Sequence, residues 1–213
     1  MGQILLVRHG QASWGAADYD VLSPVGEEQA AVVGRFLAGL DPDAVVHGAM
    51  LRQQRTAEIA ADAAGWHTGL TLDHRWNEMD HLAILAAHPH ELGEEPDRRQ
   101  FQAWFEAATG RWTAGDHDHE YDEPYPAFVR RVGEALEQLA AAAGTAVVFT
   151  SGGPIASVVA QLLAAGVDTY GRLAPVVVNA GVTKLVTGRR GVTLVSFNEH
   201  AHLESTPELL TYR

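Results

Sequence analysis

A chain of 213 residues, 46% hydrophobic and 20% charged, has enough apolar side chain to build a core, which excludes a disordered tail or a fibre. With 15 Lys+Arg against 27 Asp+Glu the formal net charge is −12, so the overall field repels nucleic acid and anionic membranes, and a small anion needs a locally basic pocket. The absence of cysteine excludes disulfides, thiolate catalysis and Cys-ligated metal centres.

Met1 to His9 has no basic segment ahead of an apolar stretch, and no run reaches the ~18 apolar residues of a membrane span. The expected location is the cytoplasm. In chain order, residues 3–7 form an apolar run without a polar face, which predicts a strand covered by helices on both sides. Ser23-Pro24 supplies an N-cap and a first-turn proline, and apolar residues from Val25 to Leu40 recur at helical spacing. A short strand is predicted at 44–47, an Ala-rich helix at 52–64 closed by Gly65, and a third strand at 69–72. Residues 74–123 are the least regular, with one helix at 96–109 carrying Phe101, Trp104 and Phe105 on one face as core or as a cover. The alternating acids and imidazoles from Asp116 to Glu123 read as a solvated loop, because nothing in their spacing converges them on a metal. His88-Pro89-His90 reads as a similar turn. A helix at 125–143 stopped by Gly144, a buried strand at 145–150 and a helix at 152–163 follow, then a strand at 175–178 and a hairpin of 182–186 with 191–197. With no repeat or linker, one domain over 1–213 is expected: a three-layer α/β/α sandwich around a mostly parallel sheet with an antiparallel edge.

Ligands of open α/β sheets bind beyond the carboxyl ends of the strands, where loops run into helix N-termini. The residues placed there are Arg8, His9 and Gly10, then Arg52 and Arg55, then Glu78, then Thr150 to Gly153. Arginines, an imidazole, a carboxylate and a glycine-rich helix start suit a tetrahedral oxyanion.

Leu5-Leu6-Val7-Arg8-His9-Gly10-Gln11 resembles the Arg-His-Gly signature of the histidine phosphatase (phosphoglycerate mutase-like) superfamily. The resemblance continues through Leu22-Ser23-Pro24-Val25-Gly26-Glu27-Glu28-Gln29-Ala30, Arg52-Gln53-Gln54-Arg55-Thr56-Ala57, Trp76-Asn77-Glu78, Asn179, and Asn198 with His202-Leu203. It implies a phosphoglycerate mutase-like fold in which His9 is the nucleophile, Arg8 and Arg52 hold the phosphoryl oxygens, and Glu78 is the acid and base. Asp80 competes for the acid's role, whereas Arg55 reads as a solvated or ion-paired helix residue. No cofactor and no metal is implied.

The sequence departs from the family where Thr150-Ser151-Gly152-Gly153 stands in place of Ser-His-Gly-Gly. Ser151 then takes the position of a second imidazole, and Ser151 and Gly152 are expected to contact the phosphate. Loss of one preorganised donor typically costs a rate factor of ~10²–10³. His200 or His202 could stand in for the missing imidazole, although a structural His202 is the expectation. Ala12, Gly15 and Gly48 also replace residues that the family uses.

The implied function is a cofactor-independent phosphatase acting on a small phosphomonoester through phospho-His9, rather than a phosphoglycerate mutase. The alternative is a phospho-ligand-binding protein with weak or no turnover. The expected partners are a small phosphorylated substrate and inorganic phosphate, with a homodimer allowed and neither nucleic acid nor membrane involved.

Overall fold

The computed structural model describes residues 2–13, 20–88, 98–142 and 144–212. Gly15, Pro89, His90 and Pro96 lie outside them. The described strands are β1 (Gly2–Arg8), β2 (Ala44–His47), β3 (Leu70–Leu72), β4 (Thr145–Thr150), β5 (Val182–Gly188) and β6 (Gly191–Glu199). The helices are α1 (Pro24–Leu37), α2 (Leu51–Ala64), α3 (His81–Ala86), α4 (Arg98–Ala114), α5 (Tyr125–Ala142), α6 (Gly152–Leu162) and α7 (Val167–Leu173). By compactness the chain divides into two units, Met1–Glu78 with Val132–Arg213, and Met79–Arg131. The sheet and all the predicted site residues belong to the first.

The strands form one sheet in the order β3-β2-β4-β1-β5-β6. β1 pairs parallel with β4, and β2 parallel with both β4 and β3, while β5 and β6 are antiparallel. Side chains alternate between faces along a strand. Leu5, Val7, Val45, Val147 and Phe149 accordingly share one core with Val33 and Leu37 of α1 and Ala57 and Ala60 of α2. The intervening Ile4, Leu6, Val46, Ala146 and Val148 are buried as well, and α6 packs against β1. A sheet covered on both faces explains why these strands read as continuous apolar runs.

One expectation fails near the C-terminal end. Residues 175–178 form no strand: Ala174–Val176 is a short 3₁₀ turn, and α7, which the sequence reading missed, precedes it. In the second unit, Phe101, Trp104 and Phe105 are only partly buried. Its core is built instead on Trp112, which is fully buried, makes edge contacts with Tyr125 and Phe128, and donates from Nε1 to the Glu123 carbonyl at 2.8 Å. The acidic tract is tied down there by Glu120, which pairs with Arg111 at 2.7 Å.

Candidate active site

Because β4 lies between β1 and β2, the carboxyl ends of the three strands are neighbours; Arg8 is opposite Thr150, and Phe149 opposite His47. The chain leaves β1 with the His9 N–H donating to the Thr150 carbonyl at 2.8 Å. The His9 carbonyl in turn accepts from Asn179 Nδ2 at 3.0 Å. Asn179 is itself held by Thr211, whose hydroxyl donates to its Oδ1 at 2.9 Å. The closing Asn of the sequence motif thus fixes the backbone of His9.

His9 is 4% exposed. Its Nδ1 lies 2.7 Å from the Gly10 carbonyl, and its Nε2 lies 3.1 Å from Arg52 Nε. A carbonyl only accepts and a guanidinium only donates, so the proton is on Nδ1 and the lone pair on Nε2. Burial, then the charges of Arg52 and Arg8, hold the His9 pKa well below its ordinary 6.5 despite the Gly10 bond. Unfolded His titrates near ~6.5. Below that pH the unfolded chain binds a proton that native His9 refuses, so His9 lowers stability as pH falls from 6.5 toward its native pKa and contributes nothing above. The midpoint of the His9 ring signals in an NMR titration should therefore lie below that of an unperturbed imidazole, ~6.5. A midpoint at or above 6.5 would contradict this environment.

Arg52 sits in the first turn of α2 and is 5% exposed. Its Nη1 pairs with Asp20 Oδ1 at 2.6 Å, and Asp20 Oδ2 accepts from the Leu51 N–H at 2.8 Å. One carboxylate thus caps α2 and aims the cation. Arg8 Nη1 donates to the carbonyls of Val177 and Tyr212. Asn198 keeps that segment in place, donating to the Val176 carbonyl and accepting from the Val178 N–H, both at 2.8 Å. Gly152 is adjacent to Arg8, since a Cβ there would lie 3.8 Å from Arg8 Nε. Arg55 is exposed and pairs with Glu27 and Glu58, as expected of a solvated residue.

Glu78 reaches the start of α6, where its Oε2 accepts from the Gly153 N–H at 3.0 Å. A Cβ at Gly153 would collide with Glu78 Oε1, so this close approach requires glycine. Asp80 is spent elsewhere, capping α3 through the N–H groups of Leu82 and Ala83, both at 3.0 Å.

Ser151 has a side-chain partner that the sequence did not announce. It lies at the end of β4 as predicted, but it is 0% exposed and its Oγ accepts from Gln53 Nε2 at 2.8 Å. Neither candidate replacement imidazole joins the site. His202 stacks on Phe36 and bonds to the Ala180 carbonyl at 3.0 Å, and His200 bonds to the Asn198 carbonyl at 2.6 Å. Asp20 and Gln53 are the residues that sequence reasoning missed. Asp20 is one of two acids in a loop, but Gln53 carried a signal, being a polar residue on the face of α2 that also holds the buried Thr56, Ala57 and Ala60.

Residues 4–200 match the model of the histidine phosphatase superfamily (branch 1). The chain belongs to this superfamily. A 2,3-bisphosphoglycerate-dependent phosphoglycerate mutase of Thermobifida fusca is 37% identical over 116 residues, which cover 49% of this chain and 46% of the mutase. A 2-carboxy-D-arabinitol-1-phosphatase of Triticum aestivum is 34% identical over 109 residues, covering 48% of this chain and 21% of that protein. In both cases the match spans less than half of the relative. Among solved structures, a phosphoserine phosphatase variant of Entamoeba histolytica in complex with phosphoserine superposes with a TM-score of 0.71 at 19% identity, over 95% of this chain and 100% of that one. A mycobacterial glucosyl-3-phosphoglycerate phosphatase in complex with VO3 gives 0.68 at 22%, over 94% and 100%. At these identities the likeness speaks for the fold. Histidine phosphatase superfamily members are phosphatases or mutases, and no described helix of this one is long and apolar enough to cross a membrane.

Proposed function

We propose that this histidine phosphatase superfamily member hydrolyses a small phosphomonoester through a phosphohistidine at His9, without a metal or an organic cofactor. The observation that carries the reading is the buried imidazole whose lone pair is fixed on Nε2 and faces the Arg52 guanidinium. In the first step Nε2 attacks phosphorus in line, the P–O bond to the alcohol breaks, and Glu78 gives its proton to the departing oxygen. In the second, Glu78 takes a proton from water, the oxygen of that water attacks phosphorus, and the P–N bond breaks to return neutral His9 and phosphate. Arg52 moves its Nε–H from His9 to an equatorial oxygen, and Arg8 with the Gly152 end of α6 holds the others.

The depressed pKa of His9 bears on a conflict between the two roles. A general acid must carry its proton while the nucleophile is neutral, and ordinary values of ~4.3 for Glu and ~6.5 for His oppose these needs. Lowering the His9 pKa moves the nucleophile's range of neutrality in the direction that eases this opposition. Hydrolysis is favoured over mutase chemistry by Ala12, a buried methyl that offers no donor to a second acidic group of a substrate. Catalysis is favoured over mere binding by Glu78, because an oxyanion pocket gains nothing from a carboxylate. Ser151, in the second imidazole's position, contributes indirectly through Gln53, and a lower rate than that of a two-histidine site follows.

The test is the dependence on leaving group. Glu78→Gln should slow an alkyl phosphate by ~10²-fold or more while slowing p-nitrophenyl phosphate far less, because nitrophenolate departs without a proton. Equal slowing of both would reject Glu78 as the acid, and no phosphomonoester turnover by the wild type would reject the phosphatase.

A further inference from the structure

Gln53 is fully buried, and its amide makes three hydrogen bonds, one back to the start of its own helix and two to other segments. Its Oε1 accepts from the Met50 N–H at 3.3 Å, at the start of the helix that carries Arg52. Its Nε2 donates to the Trp76 carbonyl at 3.2 Å, two residues before Glu78, and to Ser151 Oγ at 2.8 Å, at the start of the helix that Glu78 caps. The partners fix the orientation of the amide, since the Met50 N–H must meet the oxygen and the Trp76 carbonyl must meet the nitrogen. Thr150 reinforces the same junction, its hydroxyl donating to the Trp76 carbonyl at 2.6 Å. Room for the amide comes from Gly48, where a Cβ would collide with Gln53 Oε1 and lie 2.9 Å from Asn77 Oδ1. Gly48, Gln53 and Ser151 are thus one fitted unit, which accounts together for two departures that look unrelated along the chain.

We propose that Gln53 is a positioning residue that sets the separation between Arg52 and Glu78, with Ser151 as its anchor on α6 rather than as a phosphate contact. The inference rests on the phosphatase reading for the roles of Arg52 and Glu78. A buried amide fixed to its own helix start and bonded to two other segments holds all three in one register, and displacements of about 1 Å at a reacting centre can cost ~10²-fold in rate.

The experiment compares an alkyl phosphate with p-nitrophenyl phosphate across four proteins: wild type, Gln53→Met, Glu78→Gln and the double variant. Gln53→Met keeps the length of the side chain and removes all three bonds. Its kcat should fall about tenfold further on the alkyl ester than on the aryl ester, because misplacing Glu78 matters only where the leaving group needs a proton. In the Glu78→Gln background the same change should add no further alkyl-to-aryl difference. Equal slowing of both esters by Gln53→Met, or additive effects in the double variant, would overturn the positioning role, since a general loss of packing would act in that way. Should Gln53→Met fail to fold, Ser151→Ala removes one of the three ties and should give a smaller difference of the same sign; equal slowing of both esters there would likewise overturn the role. Absence of an alkyl-to-aryl difference in Glu78→Gln itself would instead reject the underlying reading of Glu78.

Discussion

His9→Ala is expected to lower kcat/KM by on the order of 10⁴–10⁶-fold and to leave no phosphoenzyme, the largest effect of any substitution in this chain. The expectation follows from how much of the site serves that one ring. Asn179 fixes its backbone, Gly10 fixes its tautomer, and Arg52 faces the free lone pair. No other imidazole among the described residues has the same surroundings. His47 also lies at a strand end with Nδ1 2.7 Å from the following carbonyl, but no guanidinium faces its other nitrogen among those residues. His200 and His202 are committed to backbone carbonyls. Water attacking the ester directly would gain only what Arg8, Arg52 and Glu78 supply by positioning. Steady-state rates on an aryl phosphate measure the loss, and a reduction of less than tenfold would place the nucleophile elsewhere.

Arg52→Ala should be the second most damaging change, lowering kcat/KM by ~10³-fold and vanadate affinity by ~10²-fold or more. Arg52 carries three duties at once. It donates to His9, it pairs with Asp20, and after burial its charge is the largest cause of the depressed His9 pKa. Removing it should therefore raise the His9 pKa toward the ordinary value as well as weaken oxyanion binding. Arg52→Lys should recover little, because an ammonium cannot reach His9 and Asp20 together through a planar fork. Vanadate titration and the His9 ring signals read the two effects separately, and unchanged values of both would remove Arg52 from the site.

The parts of the molecule that were legible in the sequence are those whose backbone groups are satisfied by regular pairing. β4 was predicted to the residue, and α1 was signalled by Ser23-Pro24, where the Ser23 side chain accepts from the Gly26 N–H at 3.1 Å. The failure at 175–178 has the opposite cause. Three consecutive valines favour a strand, but the carbonyl of Val176 is taken by Asn198, that of Val177 by Arg8, and the N–H of Val178 by Asn198. Pro175 lacks an N–H altogether. Side chains distant in sequence thus consume the groups a neighbouring strand would need. The site divides in the same way. Arg8 and His9 stand at the end of β1, Arg52 in the first turn of α2 and Glu78 in the segment that follows β3, where motif and chain order agree. Gln53 and Asp20 act by holding other groups, and their roles exist only once α2, the segment before Glu78 and the loop before α1 have been brought together.

Trapping the intermediate tests the central claim most directly. Wild-type protein mixed with a radiolabelled aryl phosphate bearing the label on phosphorus, quenched in alkali within a turnover and digested, should yield one labelled peptide, the one containing His9. Its label should be stable to alkali and lost in acid, as a phosphoramidate requires. Label on any other residue, or turnover in which no phosphopeptide forms at any quench time, would contradict a phosphohistidine at His9.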